Sequence, residues 1–220
     1  MPPPPAGRST AKVLGIAAGV VGALVVVVAG VVVFSNGAAG GFPEAKYRMT
    51  VPPELVDGTY KLTQDLSDSA GREIVEENRS RANVRDPKAV VGQYAGQGEQ
   101  EGSALVVSGM YGRFRNPATA REHMMDGAAD AQGAGVAVPA RDITLPDTDI
   151  TVRCQVLTTE NGAGGVRSNV PMCAWGDDNT GASVGVVTDE NATQEPEAVD
   201  LDAVARTTLK VREEMREPIA

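Results

Sequence analysis

Residues 150–175 read ITVRCQVLTTENGAGGVRSNVPMCAW, and this stretch decides how the chain is expected to fold. Its first part alternates apolar with polar side chains, as a strand with one buried face does, at Ile150, Val152, Cys154 and Val156. Residues 170–175 form a second apolar run, and the glycine-rich residues 160–165 between the runs favour a turn. The midpoint between Cys154 and Cys173 lies in that turn. The stretch therefore predicts an antiparallel hairpin with the two cysteines opposite each other.

Outward from this hairpin, the chain alternates between runs of short strands and helices. Strands are predicted at 47–51, 59–63, 89–94, 104–114, 136–138, 143–145 and 183–188. Helices are predicted from Ser67 or Asp68 to Asn83, from Asn116 to Gln132, and from Pro196 to Arg216. This order favours an α+β fold, with a largely antiparallel sheet and about three helices packed on one of its faces. An all-β sandwich is the alternative, but it does not account for three helices.

Residues 13–34 contain no charged or polar side chain. As a helix they would span roughly 33 Å, enough to cross a hydrocarbon core of about 30 Å. Arg8 and Lys12 precede the segment, and no charge follows it before Glu44, so the N-terminus is predicted to be cytoplasmic and the C-terminal part extracytoplasmic. A cleaved signal peptide ending near Ala39 is the alternative, although the apolar run is longer than a usual signal core.

The predicted organisation is a cytoplasmic proline-rich tail (1–12), a transmembrane helix (13–34), a flexible linker (35–43) and an extracytoplasmic globular domain (44–220). The protein is thus expected in the cell membrane as a single-pass protein. Gly15, Gly19 and Ala23 form a series of small residues on one helix face, which makes a homodimer through this face possible. A lipid-modified N-terminus is excluded, because no cysteine precedes Cys154.

The negative charge of the chain beyond the tail limits the kinds of partner that it can bind. The whole chain carries a net charge of −9, and the part beyond the tail has 18 basic and 29 acidic residues, a net charge of −11. Such a surface repels phosphate backbones, and the sequence shows no basic cluster with interleaved aromatic residues. We therefore expect no nucleic-acid binding.

Cys154 and Cys173 are the only cysteines, and the predicted compartment is oxidising. Residues directly opposed on antiparallel strands lie about 4.5–5.5 Å apart at Cα, within the range that a disulfide accepts. A disulfide between Cys154 and Cys173 is therefore predicted, with two buried free thiols as the alternative.

The sequence offers little catalytic or metal-binding chemistry, so no catalytic, cofactor-binding or metal-binding residue is predicted. The single histidine, His123, excludes paired-histidine zinc motifs. Three minor alternatives remain open: a zinc site of His123 with the two cysteines, a weak calcium site, and a methionine-rich groove at Met124 and Met125. The carboxylate groups that would hold calcium are Asp147 with Asp149, and Asp177 with Asp178 and Asn179; turn formation is the simpler interpretation of both.

Several segments resemble a group of uncharacterised actinobacterial single-pass membrane proteins with a disulfide-containing extracytoplasmic domain. The most specific segment is 170–177, VPMCAWGD, together with RCQ at 153–155 and VGVV at 184–187. YKLT at 60–63, YGR at 111–113 and Asn116-Pro117 also fit. The resemblance implies an anchored extracytoplasmic domain and brings no activity, substrate or site residue with it.

These observations predict a membrane-anchored extracytoplasmic binding or interaction module, which is not an enzyme and whose partner is another envelope or membrane protein. The first alternative is a sensory input domain that acts through a membrane partner, because a twelve-residue tail holds no output domain. The second is an envelope hydrolase that uses carboxylates.

Overall fold

The computed structural model describes residues 41–131, 133–161 and 166–219. They form an eight-stranded antiparallel sheet, a two-stranded sheet and four α-helices, which confirms the α+β class and the antiparallel sheet. The predicted membrane helix at 13–34 lies outside these residues, as do Gly15, Gly19 and Ala23. Within the described ranges, none of the helices is both long enough and apolar enough to span a bilayer.

The strands are β1 Tyr47–Met49, β2 Glu54–Leu55, β3 Tyr60–Asp65, β4 Val84–Gly96, β5 Ala104–Phe114, β6 Ala134–Thr144, β7 Thr151–Asn161, β8 Val166–Gly176, β9 Thr180–Val187 and β10 Arg216–Pro218. The helices are α1 Ala70–Asn78, α2 Pro117–Ala129, α3 Asp189–Thr193 and α4 Leu201–Met215. The order across the large sheet is β2-β3-β4-β5-β9-β8-β7-β6, and β1 pairs with β10. Two meanders therefore meet where β5 pairs with β9.

Helices cover both faces of the large sheet, which corrects the prediction that they pack on one face. α1, α2 and α3 contribute to a core on one side, which includes Val106 and Met172. α4 and β1 contribute to the core on the other side, which includes Val184 and Trp175. All eight residues of β9 are buried. Because successive side chains of a strand point to opposite faces, a strand buried along its whole length needs a covering layer on each side.

The β7–β8 hairpin has the predicted register. Its pairs run from Arg153 opposite Ala174 to Asn161 opposite Val166, and Cys154 lies opposite Cys173. The Cα atoms of the cysteines are 4.0 Å apart and the side chains form a disulfide, so the predicted bridge is confirmed and the free-thiol alternative is wrong. The bridge is fully buried with Trp175 on the α4 side of the sheet. Residues 162–165, where the turn was predicted, lie outside the described residues.

Several element boundaries differ from the sequence-based prediction. α1 ends at Asn78 rather than Asn83, because the chain must turn before β4 begins at Val84. The two short strands predicted at 136–138 and 143–145 form the single edge strand β6, which contains Pro139 and two register shifts. An edge strand tolerates proline, since one side of its backbone needs no partner.

The starts of the second and third predicted helices have different outcomes. The last helix begins at Leu201, where the Asp200 side chain accepts a hydrogen bond from the N–H of Ala203, and not at Pro196. α2 begins as predicted, with the Asn116 side chain as its N-cap.

Candidate functional site

A cleft of about 750 Å³ opens at the end of the sheet where β4 stops and β5 starts. The turn between these strands forms one wall, and α3 with the first two turns of α4 forms another. The cleft is lined by Val56, Thr59, Tyr60, Glu99, Gln100, Glu101, Gly102, Ser103, Val186, Thr188, Asp189, Glu190, Asn191, Gln194, Ala198, Asp200, Ala203, Val204 and Thr207. A cavity of this volume can hold a segment of a few residues or a small organic molecule.

Hydroxyl and amide groups converge in this cleft. The Ser103 hydroxyl donates to the carbonyl oxygen of Gln100 at 2.5 Å and lies 3.3 Å from the Tyr60 hydroxyl. The Tyr60 hydroxyl in turn donates a long hydrogen bond of 3.5 Å to Oε1 of Gln100. Burial raises the pKa of Tyr60 above 10.0, although the hydrogen bond with Ser103 acts in the opposite direction. The Tyr60 hydroxyl is therefore protonated at neutral pH, and its hydrogen bond to Gln100 is longer than the usual range for two oxygen atoms.

The charges around the cleft have one sign. Five of its lining residues are carboxylates, Glu99, Glu101, Asp189, Glu190 and Asp200, and none is lysine or arginine. Three of them have a structural role, since they lie at the N-termini of α3 and α4, where the helix dipole favours negative charge. Glu99 and Glu101 lie in the β4–β5 turn and cap neither of these helices, so their charge acts on whatever enters the cleft.

Arginines gather at the opposite end of β4 and β5. The arginine face consists of Arg79, Arg81, Arg85 and Arg115 around Phe42, beside a surface cavity of about 510 Å³. The guanidinium carbons of Arg85 and Arg115 each lie 4.7 Å from the centre of the Phe42 ring. These distances are typical of cation–π contacts. Phe42, which the sequence analysis assigned to the linker, is thus held on the domain between two cations.

A bulge in β4 lies beside the arginine face. The register of β4 against β5 shifts between Arg85 and Lys88, and Asp86 has a φ of +55°. The Asp86 carboxylate forms an ion pair with Arg113 on β5. A Cβ added to Gly112 would lie 2.7 Å from the carbonyl oxygen of Arg85, so only glycine lets the displaced backbone approach β5. Bulges of this kind redirect side chains at functional edges of sheets.

The turn between β8 and β9 lies at the same end and anchors both termini of the domain. Asn179 is buried, and its side chain accepts a hydrogen bond from the N–H of Lys46 at 2.9 Å and donates one to the carbonyl oxygen of Glu44 at 2.8 Å. The Asp177 carboxylate accepts hydrogen bonds from Arg212 in α4 at 2.8 and 3.2 Å. The position at which the chain enters the domain is therefore fixed beside the arginine face.

Asp177 is the centre of this anchor. Burial alone would raise its pKa, but hydrogen bonds from the backbone of Asn179 and from the side chain and backbone of Thr180, together with the charge of Arg212, hold the pKa below 3.8. The Asp177-Asp178-Asn179 sequence thus has a structural role, as the turn interpretation predicted. The described residues contain no group of three or more histidine, cysteine and carboxylate side chains placed to bind a metal ion.

The other candidate residues are not brought together. His123 lies on α2, whereas the two cysteines are bonded to each other on the opposite side of the sheet, so the zinc alternative is wrong. Met124 and Met125 are buried in the core, which excludes the methionine-rich groove. Asp147 and Asp149 are exposed in the connection between β6 and β7.

Neither end of the β4–β5 hairpin was predicted as a site. The polar run QGEQEGS at 97–103 follows a predicted strand and is longer than a tight hairpin requires, which is the signal that could have indicated a site there. The arginine face was missed because its members come from Phe42, RSRANVR at 79–85 and Arg115, which lie far apart along the chain.

Comparisons with models of protein families, with curated proteins and with solved structures give no match to this chain.

Proposed function

We propose that this protein is a membrane-anchored extracytoplasmic binding module, and that its cleft receives a basic segment of another envelope protein. The observation that supports this most is the cleft itself, which has room for a ligand and carries only negative formal charges. The apolar run at 13–34, the positive residues before it and the resemblance to anchored proteins support the location.

The chemistry of the cleft favours binding over reaction. Its polar groups are carboxylates, amides and hydroxyls, which suit the recognition of ammonium or guanidinium groups and peptide N–H groups. Its serine, Ser103, contacts Tyr60 and a backbone carbonyl rather than a base that could activate it as a nucleophile. The chain's one histidine lies on α2, and α2 contributes no residue to the cleft lining.

The test replaces the two carboxylates that cap neither α3 nor α4. The full chain in detergent should bind a fluorescent pentalysine peptide and not a pentaglutamate peptide, and Glu99→Gln with Glu101→Gln should weaken pentalysine binding about tenfold. This estimate takes roughly 0.7 kcal/mol for each partly exposed charge pair. Raising the salt concentration should weaken binding by the wild type more than binding by the variant.

The matched control removes two carboxylates elsewhere, by Asp147→Asn with Asp149→Asn, and keeps the same net charge as the cleft variant. If both variants lost affinity equally, binding would depend on net charge and not on the cleft. Equal affinity of the wild type for pentalysine and pentaglutamate would contradict the proposal altogether.

A further inference from the structure

We infer that the arginine face docks on anionic lipid headgroups of the membrane that holds the protein, so that the acidic cleft points away from the bilayer. This inference rests on the membrane anchor proposed above and adds an orientation to it. Lipid phosphate is the partner that fits this face for two reasons. The chain enters the domain beside the arginines, and the positive charge of the domain is concentrated at that end.

The arginine face lies close to the predicted membrane helix along the chain. Seven residues, 35–41, separate Phe34, the end of that helix, from Phe42 in the arginine face, which makes eight steps from Cα to Cα. A chain extends at most about 3.6 Å per residue, so Phe42 lies within about 29 Å of the end of that helix. Asn179 holds the backbone at Glu44 and Lys46, which fixes the same end of the domain nearest the membrane.

The distribution of charge over the domain favours the same orientation. The outer part of the chain has a net charge of −11 and is repelled as a whole by an anionic surface. Within the described part of the chain, Arg85 and Arg115 have no carboxylate in ion-pair range, and both are exposed. This end therefore presents two unpaired cations side by side, which an anionic bilayer attracts although it repels the domain as a whole.

The length of the β4–β5 hairpin separates the arginine face from the cleft. β4 and β5 run from the arginine face, at Val84 opposite Phe114, to the cleft, at Ala95 opposite Ala104. At about 3.3 Å per residue, the two regions are roughly 33–36 Å apart. When the arginines contact headgroups, the cleft is thus held far from the membrane and open to a partner in the envelope.

The experiment places a dye at each end of the full chain in lipid nanodiscs. A fluorophore is attached at Ala82→Cys, an exposed position beside the arginines, or at Thr207→Cys in the cleft, and energy transfer is measured to a dye on lipid headgroups. In phosphatidylglycerol nanodiscs, transfer should be high from position 82 and low from position 207. In phosphatidylcholine nanodiscs, or at high salt, transfer from position 82 should fall.

Neutralising the two arginines should remove the dependence on lipid charge. Arg85→Gln with Arg115→Gln should lower the ratio of docked to undocked molecules about 30-fold in phosphatidylglycerol, because each basic residue near an anionic surface changes it roughly fivefold. Lys61→Gln with Arg206→Gln removes the same charge elsewhere and should leave transfer from position 82 unchanged. A variant that only loosened the domain would alter transfer in both lipids alike.

Equal transfer in the two lipids would overturn the inference. So would protection of the arginines from chemical modification in intact cells without any dependence on lipid charge, which would assign the face to a protein partner. A chain that fails to co-purify with nanodiscs refutes the anchor itself, whereas an anchored chain that ignores lipid charge refutes only the docking.

Discussion

The two ends of the β4–β5 hairpin carry opposite charge, and the difference lies in how that charge is neutralised. At the arginine face, Arg79 is paired with Glu76, and Asp86 is paired with Arg113. Arg85 and Arg115 are left in contact with an aromatic ring. In the cleft, Arg206 approaches Asp200 at 3.9 Å, and no basic residue belongs to the lining. The domain therefore has one acidic end and one basic end, although its net charge is −11.

The ends also differ in how firmly they are built. The arginine end is tied to both termini through Asn179 and Asp177, and its backbone bulge fits over a glycine. The walls of the cleft are a turn and the first residues of two helices, with a weak hydrogen bond at Tyr60. We expect substitutions at the arginine end to affect stability and substitutions in the cleft to affect binding.

We expect the largest effect on stability from reduction of the disulfide, and the effects of the two substitutions that follow are compared with it. Reducing Cys154–Cys173 should lower the free energy of unfolding by about 3 kcal/mol, because the bridge closes a loop of about 20 residues in the unfolded chain. The melting temperature should fall by roughly 6–12 °C. Calorimetry of the oxidised and reduced protein measures this, with thiol titration of the denatured samples as the control. Identical melting temperatures would show that the bridge does not contribute.

Asp177→Asn should lower the free energy of unfolding by about 2–3 kcal/mol at neutral pH. It leaves Arg212, and the nearby Arg216 at 3.5 Å, without a negative partner in a largely buried site. The lowered pKa of Asp177 fixes the pH dependence: its contribution is present above about pH 4, the ordinary pKa of aspartate, and is lost as the pH falls further.

Denaturant titrations of wild type and Asp177→Asn between neutral and acidic pH check this prediction. The difference between the two proteins should shrink as the pH falls below about 4, since the wild-type carboxylate then gains a proton first in the unfolded chain and, at lower pH, in the folded protein. Asp178→Asn, at the exposed neighbouring position, is the matched control and should change little. A difference that persists unchanged into acid would mean that the charge of Asp177 is not what stabilises the turn.

Gly112→Ala should have the smallest effect, a loss of about 1–3 kcal/mol, because the new methyl group must push the backbone of Arg85 and Asp86 away from β5. The same shift should weaken docking on anionic nanodiscs, since it displaces Arg85. Gly41→Ala, where nothing lies within 4 Å of an added Cβ, should leave both properties unchanged. Unaltered stability of Gly112→Ala would show that the bulge moves freely and does not position the arginines.

The sequence alone determined the features that depend on local patterns. The alternation at 150–156 and the turn residues at 160–165 fixed the register of the β7–β8 hairpin, and with it the cysteine pair, because a strand's side chains alternate strictly between its two faces. Asn116-Pro117 fixed the start of α2 for an equally local reason, since a cap acts within one turn. The predicted membrane helix at 13–34 rests on the same kind of local reasoning.

Tertiary structure decided everything that depends on distant residues meeting. Helices lie on both faces because the pairing of β5 with β9 places β9 in the centre of a wide sheet, and no local pattern reveals which strand will be central. The arginine face joins Phe42 to Arg85 and Arg115, and the cleft joins Tyr60 to Glu99 and α3. Periodicity indicates which face of an element is buried, whereas the opposite charge of the two ends arises only when the β4–β5 hairpin places them roughly 33–36 Å apart.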